Sequence, residues 1–210
     1  MKKQQFKWAG ISPFFHHSVI FNFIPHELAG KTIVDAGAGK GIYGFLLRTT
    51  RDLGKTNLIA TDVAKEYLDI ARFHKVYDKY LVEDLAKMSF KNKSVDIFMC
   101  IEVIPCLPKK DGRKMLKEID RVTSERAIIV CPNLQKHRQN PYSKTDAHNS
   151  TWSAEEFRDA GYKVYGFGLR LPPPKGLLLN KIYFAFQYIA TPFTYFVPVL
   201  AAHLVAVKDY

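Results

Sequence analysis

Three aspartates in the first half of the chain each follow a short hydrophobic run. Asp35 follows a β-branched run, Asp62 closes a second apolar run, and Asp84 comes after a third. Carboxylates accept hydrogen bonds from hydroxyl and amino groups. Because ligands of open α/β sheets bind at the carboxyl ends of the strands, we expect a binding site for a polar ligand at that edge.

A glycine loop follows the first of these aspartates. Residues 31–48 read as a strand, a loop containing Gly37, Gly39 and Gly41, and a helix. Glycines let the backbone turn tightly and let a ligand approach where a Cβ would clash. The free N–H groups at the start of the helix favour a polar or anionic part of that ligand. Asp62 follows roughly twenty residues later, where nucleoside-binding sheets place a carboxylate on the ribose hydroxyls; capping of the next helix is its alternative role.

Three families use a loop of this kind. A P-loop is excluded because Lys40 is followed by Gly41, where a magnesium-binding Ser or Thr is required. Gly39, Gly41 and Gly44 spell the dinucleotide fingerprint G-x-G-x-x-G, which leaves an NAD(P)-dependent oxidoreductase open. The third pattern has an acid at the end of the strand before the glycines. The loop alone does not separate the last two families.

The stretch Asp35-Ala-Gly37-Ala-Gly39-Lys-Gly41 resembles the first motif of class I S-adenosylmethionine (SAM)-dependent methyltransferases. Asp84-Leu85, a short loop and a fourth strand that opens with Val-Asp extend the resemblance, which is to the small-molecule, type 11-like branch. A dehydrogenase has no need for an acid at the position of Asp84. The resemblance therefore implies SAM as cofactor and no metal.

The same resemblance assigns roles to individual residues. Asp35 would anchor the methionine end of the cofactor, the glycines would pass beneath the ribose, and Asp62 would accept bonds from its hydroxyls. Asp84 would receive the adenine amine, and the Leu85 backbone N–H would bond a ring nitrogen. The implied cofactor-binding set is Asp35, Gly37, Gly39, Gly41, Asp62, Asp84, Leu85 and Ile101.

The acceptor side departs from the family pattern. After the fourth strand many small-molecule members have Glu-Val-Leu-x-His-Val/Ile-Pro, and this chain keeps Glu102 and Pro108 but has Cys106 in place of the His. Methyl transfer to a hydroxyl needs a base. The candidates for this catalytic role are His137, His148, Tyr142 and Glu102. For Trp152, a place on the substrate side and a purely structural role as a staple of the loop stay open.

The order of the elements predicts the fold. Five β-α repeats, a sixth strand and a returning seventh strand predict an α/β, Rossmann-like, doubly wound sheet of order 3-2-1-4-5-7-6, with the last strand antiparallel and helices on both faces. We expect a single domain over residues 1–210. Within it, 1–30 form a helical cap, 134–151 a loop on the substrate side, and 176–200 a hydrophobic insertion before the last strand.

Composition and charge limit the classes of partner that the protein can have. The 210 residues carry a formal net charge of +11, which suits nucleic acid, an anionic membrane or an acidic substrate. Nucleic acid is disfavoured because the Asn-Pro-Pro-Tyr motif is absent after the fourth strand. Three cysteines without metal-ligand spacing and an N-terminus that does not read as a signal peptide predict a cytoplasmic protein. The apolar residues 177–198 predict a membrane-surface or packed hairpin rather than a span, with a dimer contact or a pocket lid as alternatives.

These observations predict a SAM-dependent methyltransferase that acts on a small-molecule or lipid-like acceptor. Two other classes stay open. One is an NAD(P)-dependent oxidoreductase, which would use the same glycine loop and Asp62. The other is a non-catalytic protein of the same fold, attached to a membrane or a partner, which would explain Cys106 and the apolar tail.

Overall fold

The computed structural model describes residues 15–135, 145–172 and 176–210. In this part of the chain seven strands form one sheet of order β3-β2-β1-β4-β5-β7-β6, which confirms the predicted topology. The strands are β1 (Thr32–Ala36), β2 (Asn57–Asp62), β3 (Lys79–Val82), β4 (Val95–Ile101), β5 (Thr123–Pro132), β6 (Lys163–Leu169) and β7 (Ala201–Asp209).

The central strands are apolar on both faces because helices cover both sides of the sheet. β1 and β4 are buried over almost their whole length, whereas β3 at the edge is half exposed. β7 runs antiparallel between β5 and β6. Its register sets His203 opposite Pro132 and Ala201 opposite Leu169, so β7 begins at the carboxyl ends of its two neighbours.

Six α-helices surround the sheet in the described residues. They are α1 (Phe15–Ile20), α2 (Ile42–Thr50), α3 (Lys65–Phe73), α4 (Lys109–Val122), α5 (Ala154–Asp159) and α6 (Leu177–Phe196). α1, α2 and α3 bury their apolar sides in one core, and α4 and α5 bury theirs in a second core on the opposite face. A capping box starts α5: Ser153 Oγ accepts from Glu156 N, and the Glu156 carboxylate accepts from Ser153 N.

The predicted hydrophobic hairpin before the last strand is wrong, because residues 177–196 form one helix with Pro192 inside it. Tertiary contacts hold this helix to the sheet in the turn before the proline. Gln187 bonds both the N–H and the carbonyl of Leu169, and Thr191 Oγ1 accepts from Gly168 N at 3.2 Å. α6 thereby covers backbone groups of β6, the edge strand of the sheet. None of the helices that the structure describes has the length and apolar character needed to cross a membrane.

Candidate functional site

The glycine loop between β1 and α2 has the left-handed backbone that its sequence predicts. Gly37, Gly39 and Gly41 have φ values of 71°, 53° and 93°, a region that residues with a Cβ rarely adopt. At Gly37 a Cβ would also lie 2.1 Å from Val103 Cγ2. The Gly37 N–H donates to the Thr61 carbonyl at 2.8 Å, which ties the loop to the end of β2.

Asp62 joins the loop to the start of α3. Its Oδ2 accepts from Gly39 N at 2.9 Å and its Oδ1 from Ala64 N at 2.8 Å. The N-cap of α3 is Ala64, so the alternative role of Asp62 as a helix cap is wrong. Burial is the main cause that raises the pKa of Asp62, the two backbone bonds lower it, and the nearby Asp146 carboxylate raises it further. The ribose-binding role of Asp62 stays a prediction.

Tyr77 positions Asp35, the other aspartate beside the loop, and no motif in the sequence marks this tyrosine. Its hydroxyl donates to Asp35 Oδ2 at 2.5 Å and accepts from Gly44 N at 3.1 Å, in the first turn of α2. Asp35 is 2% exposed. Burial raises the pKa of this carboxyl to about 7, although the bond from Tyr77 lowers it. Strand β1, helix α2 and the segment before β3 therefore meet at one phenol oxygen.

The ring of Tyr77 also explains the last glycine of the dinucleotide fingerprint. A Cβ on Gly44 would lie 2.4 Å from Tyr77 Cζ, and one on Gly41 would lie 3.2 Å from Tyr77 Cε2. Atoms do not approach to 2.4 Å without displacement, so Gly44 is needed for ring packing. The last glycine of G-x-G-x-x-G thus has a structural reason that involves no dinucleotide.

The predicted adenine residues follow β3, at the edge of the sheet. Asp84 is exposed and its Oδ1 accepts from Ala86 N at 2.9 Å, while Leu85 is buried. The neighbouring Glu83 is 9% exposed; its carboxylate accepts from Ser89 N and, at 2.9 Å, from Ser89 Oγ. Glu83 therefore fixes the loop that presents Asp84 and Leu85. Ile101, the remaining predicted residue, is 4% exposed at the end of β4.

Glu102 follows β4 in a strained conformation. Its φ is 63°, although it carries a side chain, and such outliers cluster at functional sites. Its Oε1 lies 3.9 Å from Nε2 of His203, the ring of which stacks on Phe167 with centroids 5.1 Å apart. Burial raises the pKa of Glu102 to about 8. His203 was missed by sequence reasoning because it belongs to β7 and approaches Glu102 only through the sheet.

Cys106 occupies the position of the family's His but cannot replace it as a base. Its thiol lies 3.7 Å from the Glu102 carbonyl oxygen, to which it donates. Burial first, and then the carboxylates of Asp146, Glu102 and Asp62, raise the pKa of this thiol to about 12. A thiol that stays protonated at neutral pH cannot accept a proton from an acceptor.

The described part of the substrate-side loop is fixed to this region. Asn149 N and Ser150 N donate to the Pro105 carbonyl at 2.7 and 3.0 Å. The Tyr67 hydroxyl lies 3.2 Å from Asp146 and joins the loop to α3. His148, a predicted base, is half-buried in this segment. Two other predicted bases, His137 and Tyr142, lie outside the described residues.

Trp152 is a structural residue, which was one of its two alternatives. It is 1% exposed, its Nε1 donates to Ser150 Oγ at 3.0 Å, and its ring packs against Phe157 with centroids 5.6 Å apart. Lys109 Nζ lies 3.7 Å from the ring centroid. The indole is thus enclosed by protein and holds the loop against α4 and α5.

Comparison with known proteins agrees with this architecture. Residues 34–131 match the sequence model of the family described as methyltransferase domain. A malonyl-[acyl-carrier protein] O-methyltransferase of Yersinia pestis is 35% identical over 105 residues, which cover 50% of this chain and 37% of that protein. A ribosomal protein L11 methyltransferase of Thermotoga neapolitana is 27% identical over 131 residues, covering 62% of this chain and 47% of that protein. The chain thus spans less than half the length of either relative.

A solved structure extends the likeness in fold. It is a chain of a Haloferax volcanii complex that contains the Trm112 methyltransferase activator, and it superposes with a TM-score of 0.67 over 93% of this chain and 88% of its own length. The sequence identity is 20%. The similarity therefore concerns the fold.

Proposed function

We propose that this chain, which carries a class I SAM-dependent methyltransferase domain, transfers a methyl group from SAM to a small-molecule or lipid-like acceptor. The observation that carries the proposal is the hydrogen bond from the Gly39 N–H of the glycine loop to the Asp62 carboxylate. This carboxylate is 9% exposed at the carboxyl end of β2, and each of its oxygens accepts one backbone bond. Because a carboxylate oxygen has two lone pairs, both can still accept a ribose hydroxyl.

The residues present fit this cofactor. Asp62 lies beside a loop of left-handed glycines, where a nucleoside can approach the backbone closely. Asp84, exposed beside the outer strand β3, would receive the adenine amine, and the Leu85 N–H and Ile101 would complete that side. Asp35 is held by Tyr77 below the loop. We infer that it fixes the loop that binds the methionine end.

The dinucleotide alternative has less support. Dinucleotide-binding sheets of this type run parallel in the order 3-2-1-4-5-6, whereas β7 is inserted antiparallel between β5 and β6 here. Gly44, the last residue of the fingerprint, is required by the Tyr77 ring. No observation favours a nicotinamide cofactor over SAM.

When bound, SAM supplies a methyl group that its positive sulfur already activates. The protein's part is then to align the acceptor with that methyl group and to exclude water. We infer that the acceptor enters at the carboxyl ends of β4 and β5. Glu102 and Cys106 lie there, and Asn149, the neighbour of His148, donates to the Cys106 carbonyl. A hydroxyl acceptor would lose its proton to a base, and the facing pair Glu102 and His203 supplies both a carboxyl group and an imidazole for it.

For the acceptor we propose a carboxylated or hydroxylated compound of lipid-like character. The Yersinia pestis relative is named for O-methylation of a malonyl group, and a net charge of +11 favours an acidic partner. His137 and Tyr142 remain candidates for the base from the sequence alone. We further propose that the protein works in the cytoplasm with a peripheral membrane contact through residues 177–198, which would bring lipid-like acceptors to the site.

Calorimetric titration with S-adenosylhomocysteine, and separately with NAD and NADP, tests the cofactor. We expect binding of S-adenosylhomocysteine alone, weakened at least tenfold in Asp62→Asn because a carbonyl and an amide replace two acceptor oxygens. The exposed Asp78→Asn, directly before β3 and paired with Arg48, is the matched control. Binding of NAD in place of S-adenosylhomocysteine would overturn the proposal. Cofactor binding without transfer to any carboxylated or hydroxylated lipid would instead favour the non-catalytic alternative.

A further inference from the structure

The outward side of α6 is apolar along its whole length. Six large side chains recur at intervals of three or four residues, and between 45% and 80% of each is exposed. They are Leu178, Ile182, Phe186, Ile189, Phe193 and Phe196. Residues at this spacing lie on one side of a helix. This side, called the outer stripe below, is a continuous exposed apolar surface of the kind that marks an interaction site.

The outer stripe cannot turn inward, because the opposite side of α6 is fixed to β6. Gln187 and Thr194 are 4% and 0% exposed, and Gln187 bonds both backbone groups of Leu169. Tyr195 adds a ring contact to Tyr165 with centroids 4.7 Å apart. The helix is therefore held in place with its apolar side outward.

The first half of α6 extends past the carboxyl edge of the sheet. Gln187 contacts Leu169, the last residue of β6, while Thr194 lies over Gly166, further back along the strand. Helix and strand thus run in opposite directions, and residues 177–186 continue beyond the strand end for about 15 Å at 1.5 Å per residue. The Tyr183 hydroxyl bonds Leu171 there. This is the edge at which the proposed acceptor enters.

The segment of the chain that carries the stripe has formal charges of one sign. Residues 160–208 contain no Asp or Glu, and neither do residues 1–26, although both segments contain lysines. The two segments meet where Phe23 contacts the rings of Tyr165 and Tyr195, with centroids 5.0 and 6.0 Å apart. An apolar helix side on a segment whose formal charges are all positive matches an anionic bilayer surface, which attracts cations and takes up apolar side chains.

We propose that the outer stripe of α6 docks on an anionic lipid bilayer, with the helix lying along the interface. The docking proposal depends on the surface of α6 and its surroundings, and it does not depend on the proposed enzymatic function. Its consequence for the enzyme, that the acceptor is drawn from the bilayer, rests on the proposed function. The end of β5 supports that consequence, since Asn133 Nδ2 donates to the carbonyls of Pro198 and Ala201 at 3.0 and 2.9 Å and so joins the acceptor side to the end of α6.

Vesicle flotation of the full chain tests the docking. The vesicles contain either phosphatidylcholine alone or equal amounts of phosphatidylcholine and phosphatidylglycerol. We expect binding to the anionic vesicles and a partition coefficient at least tenfold lower in Ile189→Ser/Phe193→Ser, since each side chain loses apolar area that enters the interface. The matched control is Phe45→Ser/Phe73→Ser, because these residues are 55% and 78% exposed on α2 and α3, and it should bind as the unsubstituted chain does.

The outcomes separate the explanations. No flotation, equal binding to both vesicle types, or an equal loss in the control pair would overturn the proposal. Sedimentation analysis that shows a dimer dissociating in Ile189→Ser/Phe193→Ser would assign the stripe to a second copy instead. S-adenosylhomocysteine titration of the same variant keeps the two proposals apart. Cofactor binding without flotation refutes the docking, and with it the peripheral membrane contact, but leaves the methyltransferase assignment standing. Flotation without cofactor binding refutes the methyltransferase assignment alone.

Discussion

Replacing Tyr77 by Phe removes a single oxygen atom that bridges Asp35 and the first turn of α2. The ring stays, so its packing against Gly41 and Gly44 is preserved. Two hydrogen bonds are lost, one donated to Asp35 at 2.5 Å and one accepted from Gly44 at 3.1 Å. A neutral buried bond contributes about 1 kcal/mol net, and a bond to a charged group about 1.5–3 kcal/mol. We therefore expect a loss of about 2 kcal/mol in the free energy of unfolding where Asp35 is protonated, and about 3 kcal/mol where it is ionised.

The pH dependence gives this prediction a sign. The pKa of Asp35 rises from 3.8 to about 7 on folding, so between these values the folded protein binds more protons than the unfolded chain. The free energy of unfolding therefore falls as the pH rises from about 4 to about 7, by up to about 4 kcal/mol at 1.36 kcal/mol per pH unit. Because the Tyr77 bond lowers this pKa, Tyr77→Phe raises it, and the fall in stability continues to higher pH.

Urea denaturation at several pH values between about 4 and 8 measures both effects. Asp35→Asn, which cannot ionise, should lose the slope that Asp35 causes. Tyr188→Phe removes a hydroxyl from a tyrosine that is 53% exposed and should change stability by less than about 0.5 kcal/mol. A Tyr77→Phe variant with unchanged stability and an unchanged pH slope would refute the bridging role of the phenol.

Three further predictions concern neighbouring parts of the fold. Gly44→Ala should lower the free energy of unfolding by about 1–3 kcal/mol in urea titrations, because its Cβ would lie 2.4 Å from the Tyr77 ring; a neutral effect would contradict that packing. Trp152→Ala should cost about 3–5 kcal/mol in the same assay through the cavity left by a side chain that is 1% exposed, whereas a loss of acceptor binding at full stability would make it a substrate residue. Asp84→Ala should leave stability within about 0.5 kcal/mol but weaken S-adenosylhomocysteine binding at least tenfold in calorimetry, and unchanged affinity would remove Asp84 from the adenine site.

The fold was predictable because its signals are local and repeat along the chain. Alternation of apolar runs with helical spacing indicates parallel β-α units, and Ser153 and Glu156 mark a helix start by themselves. Boundaries were less accurate for the same reason. α4 begins at Lys109, before its apolar periodicity starts, because its first three residues, Lys109, Lys110 and Asp111, are charged and leave no hydrophobic signal.

The residues that sequence reasoning missed act across long separations. Tyr77 meets Asp35 from 42 positions away, and His203 meets Glu102 only because β7 inserts next to β5. No short motif encodes either pair. α6 was misjudged because Pro192 and the scattered polar residues predict an interrupted segment, whereas Gln187 and Thr191 are polar in order to bond β6.

The two hydrogen bonds between Gln187 and the backbone of Leu169 make α6 necessary for the sheet. Deleting residues 177–198 would leave the outermost strand of a seven-stranded sheet open along its free side, and uncovered strand edges join other molecules. Such a truncated chain is expected to self-associate, and its aggregates would sediment with or without lipid. α6 is therefore an integral part of the domain. Substitution of its exposed side chains tests what this helix binds, whereas its deletion would disrupt the sheet.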